Sequence, residues 1–127
     1  MKERVRVSSG SPYENTIGFC RAVRVGHRVL VSGTAPIAAD GSVAPNAAAQ
    51  ALRCFEIIVA ALREAGAGPE HVVRTRMFLT DPEDAEAVGR AHAAFFHAAR
   101  PAATMVVVAA LLDPRWKVEI EAEAIAE

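Results

Sequence analysis

The sequence predicts an α+β domain, a mixed β-sheet with two helices on one of its faces. Three observations predict it. Period-2 alternation marks strands at both ends of the chain. Two stretches of helical spacing lie between them, each opened by a capping residue. The order is strands, helix, strand, helix, two strands, and right-handed crossovers then put both helices on the same face.

The elements follow in chain order. Val5 to Val7 starts a short strand. "CRAVRVG" leads into Gly26-His27, a tight hairpin connection before the strand-forming Val29, Leu30 and Val31. Asp40-Gly41 centres a second turn. Asn46 caps the first helix, placed at Asn46 to Ala65, with Ala48, Leu52, Phe55, Val59 and Leu62 on the apolar stripe and Gly66 as its terminator. Gln50 and Arg53 mark the other face. "VVRTRMFLT" is a strand with Val73, Thr75, Met77 and Leu79 on one side and Arg74, Arg76 and Phe78 on the other. Asp81-Pro82 opens the second helix, whose stripe is Ala85, Val88, His92, Phe95 and Phe96. "ATMVVVA" supplies a strand over Ala103 to Ala109. In "WKVEIEAEAIA", Val118, Ile120 and Ala122 alternate with Glu119, Glu121 and Glu123.

The 127 residues fit one domain, 1–127. Hydrophobic residues make up 52% and charged residues 23%, a globular balance. A net charge of −1 argues against nucleic-acid or anionic-membrane surfaces, which need a basic excess. No apolar run is long enough to span a membrane, and no secretion signal precedes the domain, so the expected location is cytoplasmic. Two cysteines form no disulfide framework, and the spacing of His92 and His97 is not that of a metal pair. Cys54 reads as a buried helix thiol. Thr104 to Ala109 is apolar at nearly every position, the mark of a core strand covered on both faces. Two helices cover only one face, so a second copy of the chain is the expected cover for the other. If the strand of Arg74 and Arg76 neighbours the glutamate ladder, their charges compensate.

The segments "IGFCRAVRVGHRVLVSG", "DGSVAPNAAAQALRCFEIIVAALREAG", "VVRTRMFLTD", "HAAFF", "RPAATM" and "VEIEAEAIA" together resemble the RidA/YjgF family, also called L-PSP, over nearly the full length. The resemblance implies a chorismate-mutase-like fold and a homotrimer. It implies clefts between subunits for small carboxylate-bearing molecules, and hydrolysis of enamines and imines without a cofactor. In the deaminases of that family a Pro-Ala-Arg-Ser arginine grips the substrate carboxylate. Here Ala103 holds its place in Pro101-Ala102-Ala103-Thr104. Cys20 matches a family tyrosine, and Gly89 matches a helix asparagine. Ser32 and Gly33 match a pocket-lining pair. Glu119, with Glu121 as the fallback, matches the glutamate that positions water.

The residues thus put forward are Glu119 as catalytic group and Ser32, Gly33, Cys20, Gly89, Ala103 and Thr104 as substrate contacts. Neither metal nor other cofactor is expected. Arg21, Arg100 and Arg115 are candidates to stand in for the missing arginine, though each reads first as an exposed surface arginine. Trp116 reads as a pocket cap or, better, a loop anchor. Two functions remain: a divergent imine or enamine hydrolase with altered or lost deaminase activity, or a trimer that binds a metabolite without turnover. Endoribonuclease work, described for some relatives, fits the charge least.

Overall fold

The computed structural model describes residues 3–127. Its six-stranded sheet comprises β1 (Arg4–Val7), β2 (Ala22–Val25), β3 (Arg28–Thr34), β4 (Val72–Leu79), β5 (Ala102–Val107) and β6 (Val118–Ile125). The strands are ordered β1-β2-β3-β6-β4-β5. Only β4 and β5 pair in parallel. The two helices, α1 (Ala47–Glu64) and α2 (Ala85–Phe96), share one side of the sheet. Among the described residues no helix is long and apolar enough to cross a membrane.

Local chemistry sets the boundaries. Gly26 turns the β2–β3 hairpin at a φ of 63°. Asn46 caps α1 by accepting the Ala49 N–H at 2.8 Å, and Gly66 leaves the helix at a φ of 82°. Asp81 accepts from the Glu83 N–H at 2.9 Å, opening a 3₁₀ turn that feeds α2.

α1 lies across β3 and β6, and α2 leans against α1. Phe55, Ile58 and Leu62 of α1, Val88 and Phe96 of α2, and Val29, Leu79, Val118 and Ile120 of the sheet fill the core. The buried side of α1 is rotated from the expected stripe. Gln50, Ala51, Cys54, Ile58 and Ala61 are inside, while Leu52 is 41% exposed. The helix is apolar nearly all round, so periodicity alone did not mark its seam. Gln50 enters because its amide closes three backbone groups. It donates to Ala44 O at 2.8 Å and Arg115 O at 3.0 Å, and it accepts from Lys117 N at 2.7 Å. Val73 likewise points outward, because the β4–β6 ladder slips a residue between Val72 and Arg74.

β5 departs most from expectation. In one chain it is the outer strand of the sheet, with Val106 at 42% and Val107 at 51% exposed, rather than a strand covered within the chain. α1 covers β3 and β6, α2 leans on α1 and reaches β4 through His92, and on β5 only Met105 packs against the core.

Candidate functional site

β6 carries Glu119, Glu121 and Glu123 on the sheet face away from the helices. Register places Glu123 opposite Arg74, Glu121 opposite Arg76 and Glu119 opposite Phe78. Arg76 pairs with Glu121 at 3.0 Å and Glu123 at 3.7 Å, and Arg28 meets Glu123 at 3.0 Å. Of the two arginines expected to compensate the ladder, Arg76 does so, while Arg74 forms no ion pair among the described residues and Arg28 supplies the second cation. Glu119 is the exception, since no protein donor among the described residues reaches its carboxylate.

That carboxylate is half-buried and rests on Gly33. A Cβ built on Gly33 would lie 2.7 Å from Glu119 Oε2. Gly33 therefore gives the carboxylate its seat by having no side chain. Burial pushes the Glu119 carboxyl above its ordinary range, Arg21 pulls it back, and Glu121 adds to the rise. The seat exists because the β3–β6 ladder shifts register between Val31 and Thr34, which frees Ser32 and Gly33 from regular pairing. Ser32 Oγ donates to Cys20 O at 2.6 Å, so Cys20 and Ser32 come together beside Gly33 and Glu119. The Cys20 thiol points back to Ala22 O at 3.3 Å, a packed thiol. Burial pushes the Cys54 thiol up to about 12, which leaves it unreactive.

Arg21 is not the surface arginine that its position in the sequence suggested. Its Nη2 donates to Gly33 O at 2.8 Å and its Nη1 to Thr34 Oγ1 at 3.3 Å. Glu14, buried in the β1–β2 connection, carries the opposing charge. It accepts from Ser8 Oγ at 3.0 Å, from Ser9 N at 2.8 Å and from Ser9 Oγ. These bonds hold its carboxyl below the usual range. Sequence reasoning missed Glu14 altogether. The available signal was a glutamate seven residues before an arginine in one strand connection.

The other sequence-derived candidates lie elsewhere in the chain. Ala103 and Thr104 are on β5, two strands from β6. Ala103 lies beside Thr75 in register, and Thr75 Oγ1 bonds His92 Nε2 at 2.8 Å. Burial lowers the His92 pKa, so its ring is a neutral partner. Gly89, a turn earlier on α2, has open space where a Cβ would stand. Arg115 spends its guanidinium on Asp113 at 2.8 Å, and Arg100 is exposed with a φ of 50°. Trp116 lines a hollow of about 280 Å³ with Thr80, Leu111, Asp113 and Pro114, and its Nε1 is buried without an acceptor. Among the described residues no three His, Cys, Asp or Glu side chains converge on a metal position.

A family model described as "Endoribonuclease L-PSP" matches residues 11–126. The chain belongs to the endoribonuclease L-PSP family, the RidA/YjgF group. It is 43% identical over 122 residues to an uncharacterized protein of Streptomyces coelicolor, covering 94% of this chain and 90% of that one. It is 36% identical over 110 residues to the 2-iminobutanoate/2-iminopropanoate deaminase of Salmonella typhimurium, covering 84% and 86%. The L-PSP fold is reproduced by the crystal structure of a Mycobacterium tuberculosis member of the YjgF/YER057c/UK114 family. The TM-score is 0.90 at 42% identity, over 98% of this chain and 100% of that one. Within this L-PSP fold the candidate residues form two groups, Glu119, Gly33, Ser32 and Cys20 near the β3–β6 seam and Ala103 and Thr104 on β5, with Gly89 on α2.

Proposed function

We propose that the protein is a homotrimer whose clefts between subunits hydrolyse small imines or enamines, with Glu119 orienting the attacking water. The observation that carries this reading is the Glu119 carboxylate on its Gly33 seat, half-buried and free of protein donors among the described residues. Such a group has lone pairs left for a water O–H. Its raised affinity for protons makes it a better base near neutral pH than a solvated glutamate. Water adds to the C=N carbon as one of its protons passes to Glu119, which delivers it to the nitrogen to give the neutral carbinolamine. The carbinolamine hydroxyl then gives its proton to Glu119, which passes it to the nitrogen as the C–N bond breaks, leaving the carbonyl and ammonia.

The trimer reading has two supports. One chain leaves Val106 and Val107 of β5 bare, an apolar margin that a second copy would cover. The β5 edge also lies two strands from Glu119, so the two groups of residues would face each other only across a subunit seam. The cytoplasm is the compartment this chemistry suits.

Ala103 favours a second reading, a trimer that binds a metabolite without turnover. Loss of a charge-assisted fork in a closed pocket costs roughly 2–5 kcal/mol of anion binding. A net charge of −1 favours either small-molecule reading over RNA cleavage.

The test generates 2-aminoacrylate or a longer 2-imino acid in situ and follows its loss with and without the protein. Acceleration that disappears in Glu119→Ala supports the hydrolase. Absence of acceleration across several side chains, with a 2-oxo acid still raising the melting temperature, transfers the conclusion to the binder.

A further inference from the structure

We propose that Arg21 is the positioning residue of this site: bonded to the Gly33 carbonyl and the Thr34 hydroxyl, it shapes the seat of the Glu119 carboxylate and brings a positive charge to it. The proposal rests on the assignment of Glu119 as the working carboxylate.

The backbone of Arg21 is locked from both sides. Its N–H donates to Val7 O at 2.8 Å, and its carbonyl accepts from Ser32 N at 3.0 Å. The side chain then turns toward the irregular end of β3. The register shift between Val31 and Thr34 interrupts the regular ladder to β6 around Gly33, and Arg21 Nη2 takes its carbonyl at 2.8 Å. Nη1 reaches Thr34 Oγ1, which itself donates to Ser32 O at 2.8 Å. One guanidinium thus ties down the bend on which Glu119 rests, and a rigid support of this kind is what holds a working group in geometry.

A neutral donor would serve if the tie were only structural. Arg21 is instead a largely desolvated cation, and its Nε is buried without an acceptor. Keeping such a group costs free energy, which protein sites retain where the charge has a use. The charge has two recipients. Glu14 faces it from the β1–β2 connection, held ionised by Ser8 and Ser9. Glu119 faces it across Gly33.

The other groups around Glu119 do not supply a cation. Glu121 on its own strand repels it, Phe78 opposite on β4 is uncharged, and the Cys54 thiol on α1 stays protonated. Arg76 is committed to Glu121 and Glu123. Arg21 therefore controls both where the carboxylate sits and how readily it takes a proton.

Protein carrying ¹³C-carboxyl glutamate, with the Glu119 signal assigned by its loss in Glu119→Gln, is titrated by NMR without any substrate. Arg21→Met is expected to raise the Glu119 midpoint. Glu14→Gln is expected to lower it, because Arg21 is then shared with one anion fewer. Arg21→Lys is expected to bring the midpoint back toward that of the native protein. Its Gly33 and Thr34 amide signals stay displaced, since an ammonium does not span both acceptors.

An unmoved Glu119 midpoint in Arg21→Met and Glu14→Gln would overturn the proposal. If Arg21→Met does not fold, Glu14→Gln and Arg21→Lys decide it alone, and a midpoint unmoved in both is the overturning result. Absence of imine hydrolysis by the native protein counts against the hydrolase reading and leaves this titration intact, so the two failures are distinguishable.

Discussion

The β3–β6 seam and the β5 edge stand two strands apart in one sheet and are built on opposite lines. At the seam, charge is concentrated and supported: Glu119 on Gly33, Arg21 tied to Gly33 and Thr34, Glu14 behind it. At the edge there is little polar reach, with Ala102, Ala103 and Thr104 exposed on β5. If Glu119 works as proposed, the difference teaches that a site can carry a proton-handling half without a charged ligand-gripping half. Each half depends on its own local structure: the seam on a β-bulge and a half-buried arginine tied to Gly33 and Thr34, the edge on short side chains along a strand with one neighbour.

The strongest way to break this contrast is to strip one group from each half. Glu119→Ala is expected to slow imine loss by about 10²–10⁴-fold, and Thr104→Ala by no more than about twofold. Comparable losses would mean the edge also carries chemistry. The contrast is sharpened by rebuilding the edge. Ala103→Arg supplies a planar fork and is expected to lower KM for a 2-imino acid by about tenfold or more, with kcat changed little. An unchanged KM would show that β5 does not face the ligand.

A smaller effect comes from crowding the seam. Gly33→Ala puts a methyl 2.7 Å from the present position of Oε2, so the carboxylate must swing aside. An expected drop in kcat of about tenfold, with a melting temperature close to native, would separate misplacement from unfolding.

The smallest effects are in the pH dependence of stability. Glu119 has a folded-state pKa above its ordinary value of 4.5, chiefly through burial. Its contribution is therefore favourable below that ordinary value and is lost as pH rises through the folded value. Glu119→Gln should melt higher than the native protein at neutral pH, with the gap closing on acidification. Glu14 is shifted the other way, chiefly by the Ser9 hydroxyl bond, so its contribution is present above 4.5 and lost as pH falls through the folded value. Glu14→Gln should melt lower at neutral pH and approach the native protein in acid. Thermal scans across pH check both signs, and a common direction for the two variants would contradict the opposed environments.

Much of the fold was legible in particular residues. Asn46 and Gly66 bounded α1, Gly26 set the hairpin, Asp81-Pro82 opened the approach to α2, and strict alternation marked Glu119, Glu121 and Glu123 as one face. The match to Ser32, Gly33 and Glu119 drew on the order of several segments together, and one chain does bring these three together. Leu52 and Gln50 were assigned to the wrong sides of α1, because a helix apolar nearly all round carries no phase that a sequence reader can extract. The run from Thr104 to Ala109 was read as covered on both faces, one of them by a second copy, and one chain alone leaves Val106 and Val107 exposed.

By itself the sequence determined the elements, their order and the alternation of charges on β6, since caps, turns and period-2 patterning act over a few residues. Only the tertiary structure decided that β5 lies at the margin and that Arg21 turns inward to Gly33. It also decided that Glu14, hidden in a strand connection, answers that charge. These outcomes depend on which strands pair and where a ladder slips, and such contacts join residues far apart in the chain and leave no local signature.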